Sequence, residues 1–200
     1  MTEILGSVIT NVLTGLYQPF WFALILSIFF MFLWKKYSSI KKAAAEWIGW
    51  FKSEASFRRM FFLTFYSVMI LFRTLLNRAM WANPVSNVIG VWGLYAEKNG
   101  EVVLTTEVPE NLALFIPFTV LLLWTYQKKI LGEKVKFLVV IWKSAKITFL
   151  CSLSIEMLQL FLRLGTWQLS DIVYNTLGGV IGGIIFFTGY KIKNDRNGLK

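Results

Sequence analysis

The sequence predicts an all-α membrane protein of about five transmembrane helices, and three observations carry that prediction. Apolar residues make up 56% of the 200 and charged residues only 16%, too little charge to cover a water-exposed surface. Mean hydropathy is +0.58, and apolar runs reach the roughly 17–25 residues that a helix needs to cross a bilayer. Nine Trp and eighteen Phe in so short a chain suit a lipid-facing perimeter better than an aqueous one.

The expected spans are residues 16–34, 57–77, 111–126 (or from near Val108), 137–162 and 172–190. Helix follows from the solvent, because an isolated strand in hydrocarbon leaves its backbone groups unpaired. The first run ends in Lys35-Lys36 rather than at a small-residue cleavage site, so it reads as a retained helix and not a signal peptide. Most of the 21 Lys and Arg fall in the connections after the first, third and fifth spans. The positive-inside rule therefore places the N-terminus outside and the C-terminus inside, with Lys143 and Lys146 snorkelling to the same inner face. The net charge of +10 reads as topology signal and attraction to anionic lipid, not to nucleic acid.

Between the first two spans, Ile40, Ala44, Trp47, Ile48, Phe51 and Ala55 recur at helical spacing among lysines. This predicts an amphipathic helix on the cytoplasmic surface, with Trp47 and Trp50 at headgroup depth. The external loop 77–110 carries two strand-like stretches, 88–96 and 101–108, flanking Lys98-Asn99-Gly100. Asn-Gly favours a two-residue hairpin turn, so a hairpin or compact cap is expected there, anchored by Trp81, Trp92 and Tyr95. The organisation expected is 1–59, an N-terminal span plus the amphipathic helix; 60–190, a transmembrane domain; and 191–200, a basic cytoplasmic tail.

Polar residues inside the spans are costly and so informative. Ser152, Glu156, Gln159 and Arg163 share one face of the fourth span; Asp171, Asn175, Gly178 and Gly182 repeat that spacing on the fifth. The two stripes are expected to face each other, and Arg73 and Asn111 lie at similar depth. Pairing such as Arg73 with Glu156 would relieve the cost of isolated charges. The result is one polar pocket open toward the outside. Glu156 and Asp171 are its candidate catalytic acid or base residues. Arg73 and Arg163 are expected to hold an anion, with Asn111, Gln159 and Asn175 fixing its position. With no His in the chain, a Ser-His dyad is excluded, and no metal or other cofactor is expected. The single Cys151 cannot form an intramolecular disulfide. The glycines of the fifth span read as close helix contacts.

These residues also form a familiar pattern. Ser152-Leu-Ser-Ile-Glu156-Met-Leu-Gln159, then Gly165, then Asp171-Ile-Val-Tyr-Asn175-Thr-Leu-Gly178-Gly179, resembles the signature of the VanZ-like family. Asn111-Leu-Ala-Leu-Phe-Ile-Pro117-Phe118 is similar to that family's other motif, and Phe72-Arg73-Thr-Leu-Leu-Asn-Arg78 to a looser element before it. The resemblance covers about residues 60–190 and departs from the common pattern at Thr119, where members often have Gly, and at Gln168, where they often have an acidic residue. The second departure leaves one carboxylate fewer in the outer loop. The family's founding member is associated with resistance to teicoplanin, a glycopeptide with a lipid tail. The resemblance thus implies a multi-pass protein of the bacterial cell membrane with a role in the envelope. Together with the pocket, it points to a protein that binds, with or without modifying, an anionic outer-leaflet lipid or lipid-linked envelope component. A small lipid transporter or flippase, and a non-catalytic accessory subunit, are the competing classes; the oligomeric state is left open.

Overall fold

The computed structural model describes residues 2–98 and 101–198. Its helices are α1 Thr2–Tyr17, α2 Phe20–Trp34, α3 Ala43–Ser53, α4 Ala55–Leu71, α5 Glu107–Leu131, α6 Phe137–Leu162 and α7 Leu169–Gly198. A π-turn, Phe72–Leu76, extends α4, and one antiparallel hairpin pairs β1 Tyr95–Lys98 with β2 Glu101–Leu104. Among the described residues, four segments are long and apolar enough to cross a membrane: Ala55–Leu76, Glu107–Leu131, Phe137–Leu162 and Leu169–Asp195. The bent pair α1–α2 makes a fifth if it is counted as one span. Large apolar side chains line the perimeter, including Ile25, Leu138, Trp142 and Phe161, each more than two-thirds exposed to whatever surrounds the bundle. That distribution suits lipid and not water, so the chain is a multi-pass, all-α membrane protein.

The first span differs from expectation. Instead of one helix over 16–34, two helices meet at Gln18 and Pro19 with a bend of 42°. Pro19 has no backbone N–H to donate, and its ring is incompatible with a straight helix across the Gly15 carbonyl. The ladder therefore stops with Gln18 N–H donating to Thr14 O (3.0 Å) and resumes with Ala23 N–H donating to Pro19 O (2.7 Å). Beyond the break, α2 runs antiparallel to α4. Its buried stripe Ala23, Ser27 and Met31 is spaced by four, and it packs on Val68 and Met69 near one end and Phe57, Met60 and Phe61 near the other.

The amphipathic helix exists as α3, shorter than the stretch from Ile40 to Ala55 over which the apolar spacing runs. Trp47, Trp50 and Phe51 form its inner, partly buried face. They pack against Met31, Phe57 and Phe61 at the ends of α2 and α4, with Trp47 stacked on Phe51 at 5.2 Å. Lys35 ties the corner, pairing with Glu54 at 2.6 Å and standing 4.5 Å from the Trp50 ring. This is the basic end of the bundle; the opposite end holds the polar site.

At the centre, α7 lies against both α5 and α6. Two glycine pairs offset by one residue make this possible, since residues one apart lie about 100° apart around a helix. Gly178 and Gly182 face α5: a Cβ at Gly178 would overlap the Leu112 carbonyl oxygen, and one at Gly182 would stand 2.5 Å from the Ile116 carbonyl oxygen. Gly179 and Gly183 face α6, against the hydroxyls of Thr148 and Ser144. The expectation that Asp171, Gly178 and Gly182 face α6 is thus corrected: that stripe faces α5. Asn175 is the member that reaches α6, donating to Ser152 Oγ at 2.8 Å. Both later helices also outrun their expected bounds. α5 begins at Glu107, and α7 continues through the basic tail.

Over the polar end, residues 79–90 are laced to the α6–α7 connection by backbone bonds. Trp81 N–H donates to Arg163 O (2.9 Å), Gly165 N–H to Ala79 O (3.0 Å), Trp167 N–H to Pro84 O (2.8 Å) and Leu169 N–H to Val88 O (2.8 Å). The expected cap is therefore a strap plus the hairpin. Strands β1 and β2 pair in register with Lys98 opposite Glu101, while the Asn99-Gly100 turn itself lies outside the described residues. Trp92 reaches α7, its ring 5.8 Å from that of Tyr174.

The packing of α7 makes a direct prediction. Gly178→Ala pushes a methyl into a backbone carbonyl and should lower stability by about 1–3 kcal/mol. Gly189→Ala, with nothing within 4 Å of its Cβ, should be neutral or gain up to about 1 kcal/mol from helix propensity. Thermal unfolding in detergent compares the two directly.

Candidate functional site

The polar site begins with the π-turn. Residues five apart in an α-helix stand about 140° apart, which would send Arg73 and Arg78 to different faces. Here Asn77 N–H donates to Phe72 O (2.8 Å), an i to i+5 bond that brings residues five apart toward one side. Phe72, Arg73, Thr74, Asn77 and Arg78 consequently line one cavity of about 370 Å3. Glu107, Glu110, Asn111 and Leu114 come from α5, Gln168 and Asp171 from the start of α7, and Asn11, Thr14, Gly15 and Gln18 from α1.

The charges are arranged differently from the sequence-based expectation. Arg73 forms its ion pair with Glu110, not with Glu156. Glu110 leads one face of α5 toward α4, whereas Glu156 lies deeper, where the α6–α7 connection folds back over it. Glu110 also accepts from the Thr106 hydroxyl, and Thr106 Oγ1 accepts from Asn11 Nδ2 at 2.9 Å, so α1 is fastened to the same network. The Arg73 guanidinium lies directly on Gly15, where any Cβ would displace it. Gln18 Oε1 accepts from Asn77 Nδ2 at 3.0 Å and closes the ring of polar contacts.

Of the two expected carboxyls, Asp171 reaches the cavity and Glu156 does not line it. Asp171 accepts from Asn111 Nδ2 at 2.7 Å, which locks α7 to α5 at the floor of the site. Glu156 is 2% exposed, and its Oε2 accepts the Gln168 backbone N–H at 2.9 Å. It sits one layer behind, holding the wall that Gln168 contributes. Gln159 is likewise behind the cavity and donates from Nε2 to Thr74 O at 2.7 Å, satisfying a carbonyl left without a helical partner at the end of the π-turn. Asn175 braces α7 on Ser152 and is also outside the lining.

Arg163 is not at the site. It terminates α6 in the left-handed region (φ 55°), its carbonyl bonded to the strap and its side chain exposed away from the cavity lining. Helical periodicity placed it on the stripe, but the helix ends there and the periodicity no longer holds. The cation that takes its place is Arg78, just past the π-turn. Its guanidinium packs over the α6–α7 turn, 3.2 Å from where a Cβ on Gly165 would stand, and it lines the same cavity as Asp171. Among the described residues, no carboxylate lies within ion-pair distance of Arg78. Sequence reasoning also missed Glu107, Glu110 and the α1 residues. The signal was available in Glu107 and Glu110, acidic residues in the first turn of an apolar helix.

A second cavity of about 240 Å3 opens beside the first and shares Gly15, Arg73, Glu110 and Leu114 with it. The rest of its lining, Tyr66, Met69, Ala113, Ile116 and Pro117, is nearly all apolar. The Arg73–Glu110 pair thus stands on the boundary between a polar chamber and an apolar slot. Among the described residues, no group of three or more Cys, His, Asp or Glu is placed to hold a metal ion.

Removing one half of that pair should be worse than removing both. Glu110→Gln leaves Arg73 uncompensated and should destabilise by about 3 kcal/mol, while Arg73→Leu with Glu110→Leu should cost less than that single change. Arg163→Gly relieves a left-handed residue and should raise stability by about 1 kcal/mol. Unfolding midpoints in one detergent give all three values.

The geometry can be set beside known proteins. Nothing matches this chain among curated proteins or among solved structures. The sequence model of the VanZ/LLP1 family matches residues 20–190, taking in α2 and α3 as well as the 60–190 stretch that carries the motifs. The match covers most of the chain, and the protein belongs to the VanZ/LLP1 family.

Proposed function

We propose that the protein binds a membrane lipid or lipid-linked envelope component, headgroup in the polar chamber and one chain in the apolar slot. The observation that carries this reading is the junction of the two cavities at Arg73 and Glu110. A water-soluble ligand has no use for the slot, and a purely apolar one has no use for the chamber. The lining supplies two guanidinium groups against the carboxylates of Glu107, Glu110 and Asp171. With Arg73 already paired, Arg78 is the group to meet a phosphate, and Glu107, Asn111 and Asp171 are placed for hydroxyls or an amine. A headgroup carrying both a phosphate and such donors fits better than a bare anion. If the ligand is chemically modified, Asp171 is the one of the two expected acids that lines the chamber, beside Glu107, and Glu156 acts through Gln168 as a positioning residue.

On the positive-inside rule the chamber belongs to the outer leaflet, where envelope precursors are handled. In this reading, altered susceptibility to lipid-tailed glycopeptides such as teicoplanin follows from occupancy of the chamber. Binding is favoured over passage between leaflets because buried Leu123, Leu131, Val140 and Phe186 fill the bundle toward the basic end.

The test is native mass spectrometry of protein purified in a gentle detergent. Wild type should retain a lipid-sized adduct. Arg78→Ala should reduce it about tenfold or more, the loss expected for a hydrogen bond to a charged group. Ala113→Trp, which fills the slot without touching a charge, should reduce it comparably. Unchanged retention in both variants would count against the reading.

A further inference from the structure

A different groove lies on the lipid-facing side of α5 and α6, near the basic end. It encloses about 460 Å3 and is lined by Tyr126, Lys129, Ile130, Lys143, Lys146, Ile147 and Leu150. Through Leu150 it adjoins an apolar cleft of about 350 Å3 that continues along α6 past Cys151 to Leu158, walled by Phe115 and Phe118 of α5. The three lysines are exposed and, among the described residues, none has an acidic partner. No carboxylate lines the groove.

The depth of these lysines is the informative point. Lys143 and Lys146 stand six and nine residues into α6, roughly 9 and 13 Å along its axis, while the whole helix is about 39 Å long. A hydrocarbon layer is about 30 Å thick, so a centred α6 overhangs by about 4–5 Å at each end. The Lys146 backbone is then well inside the hydrocarbon. Its ammonium must snorkel back along the groove toward the interface, where Lys143 and Lys129 already converge. Three cations converging at that interface with no protein anion among the described residues need a counter-charge from their surroundings.

We propose that this groove is a second lipid site, specific for an anionic phospholipid of the leaflet at the basic end. The phosphate is held among Lys129, Lys143 and Lys146, and an acyl chain runs over Ile147 and Leu150 into the apolar cleft. Tyr126, where α5 departs from helical dihedral angles (φ −114°, ψ 27°), forms the groove's wall on the α5 side. This site is independent of the polar chamber: the two linings share no residue.

The experiment is a titration of delipidated full-length protein, followed by native mass spectrometry, with phosphatidylglycerol and phosphatidylcholine of identical chains. Wild type should take up phosphatidylglycerol at a concentration about tenfold lower or better, given the attraction each near-surface lysine contributes. Lys143→Gln with Lys146→Gln should abolish that preference, whereas Lys191→Gln with Lys193→Gln, the same change of charge in the tail, should leave it intact. Ile147→Trp keeps every charge and should weaken uptake by obstructing the chain. Inorganic phosphate at tens of millimolar should not displace the lipid. Displacement by inorganic phosphate would assign the lysines to a free anion, and equal losses in the two lysine pairs would reduce the effect to net charge; either result overturns the proposal.

Discussion

The approach of α7 to two helices at once is the constraint on which the rest of the molecule depends. In lipid there is no hydrophobic drive between helices, so close backbone contact has to supply the cohesion. Gly178 and Gly182 let the α5 carbonyls come against α7, and Gly179 and Gly183 do the same for the hydroxyl-bearing face of α6. The polar bonds at the far end inherit this geometry. Asp171 meets Asn111 because its own helix face is already pressed on α5, and Asn175 meets Ser152 because the neighbouring face is pressed on α6. A bundle with α7 one methyl further out would leave these groups unpaired where water is scarce.

The ionisable groups then divide by what satisfies them. Arg73 and Glu110 satisfy each other, and α1 closes over them through Gly15 and Asn11. Glu156 is committed to a backbone N–H and holds the α6–α7 connection against the strap. Arg78, Glu107 and Asp171 remain facing the chamber. Such a set is expensive to maintain inside a membrane protein for packing alone, since uncharged side chains would fill the same space at lower cost. Its placement beside an apolar slot gives the charges a reason.

Much of this was legible in the sequence, for definable physical reasons. Spans are set by apolar length, and the predicted span 137–162 coincides with α6 because no Pro or Gly breaks that run. The first span was misread because hydropathy averages over Pro19, while the backbone cannot. Glu156, Asp171, Asn111 and Asn175 are recognisable in the sequence as polar groups within apolar helices, yet their partners are not, because pairing depends on how helices are rotated. The offset of the two glycine pairs could have shown that α7 has two neighbours. Arg78 could not be found by α-helical spacing, since the π-turn that presents it breaks that spacing; Arg163 was misplaced by trusting the same spacing past the end of a helix.

The central claim is that the polar chamber and the apolar slot form one site occupied by one amphiphile. The most direct measurement is a structure of the protein in lipid nanodiscs made from its native membrane, at a resolution that shows side chains. The account predicts a continuous elongated density, its head beside Arg78 and Asp171 and its tail passing the Arg73–Glu110 pair toward Pro117. An ordered side-chain map with the slot collapsed or filled by protein, and lipid density only around the perimeter, would contradict it.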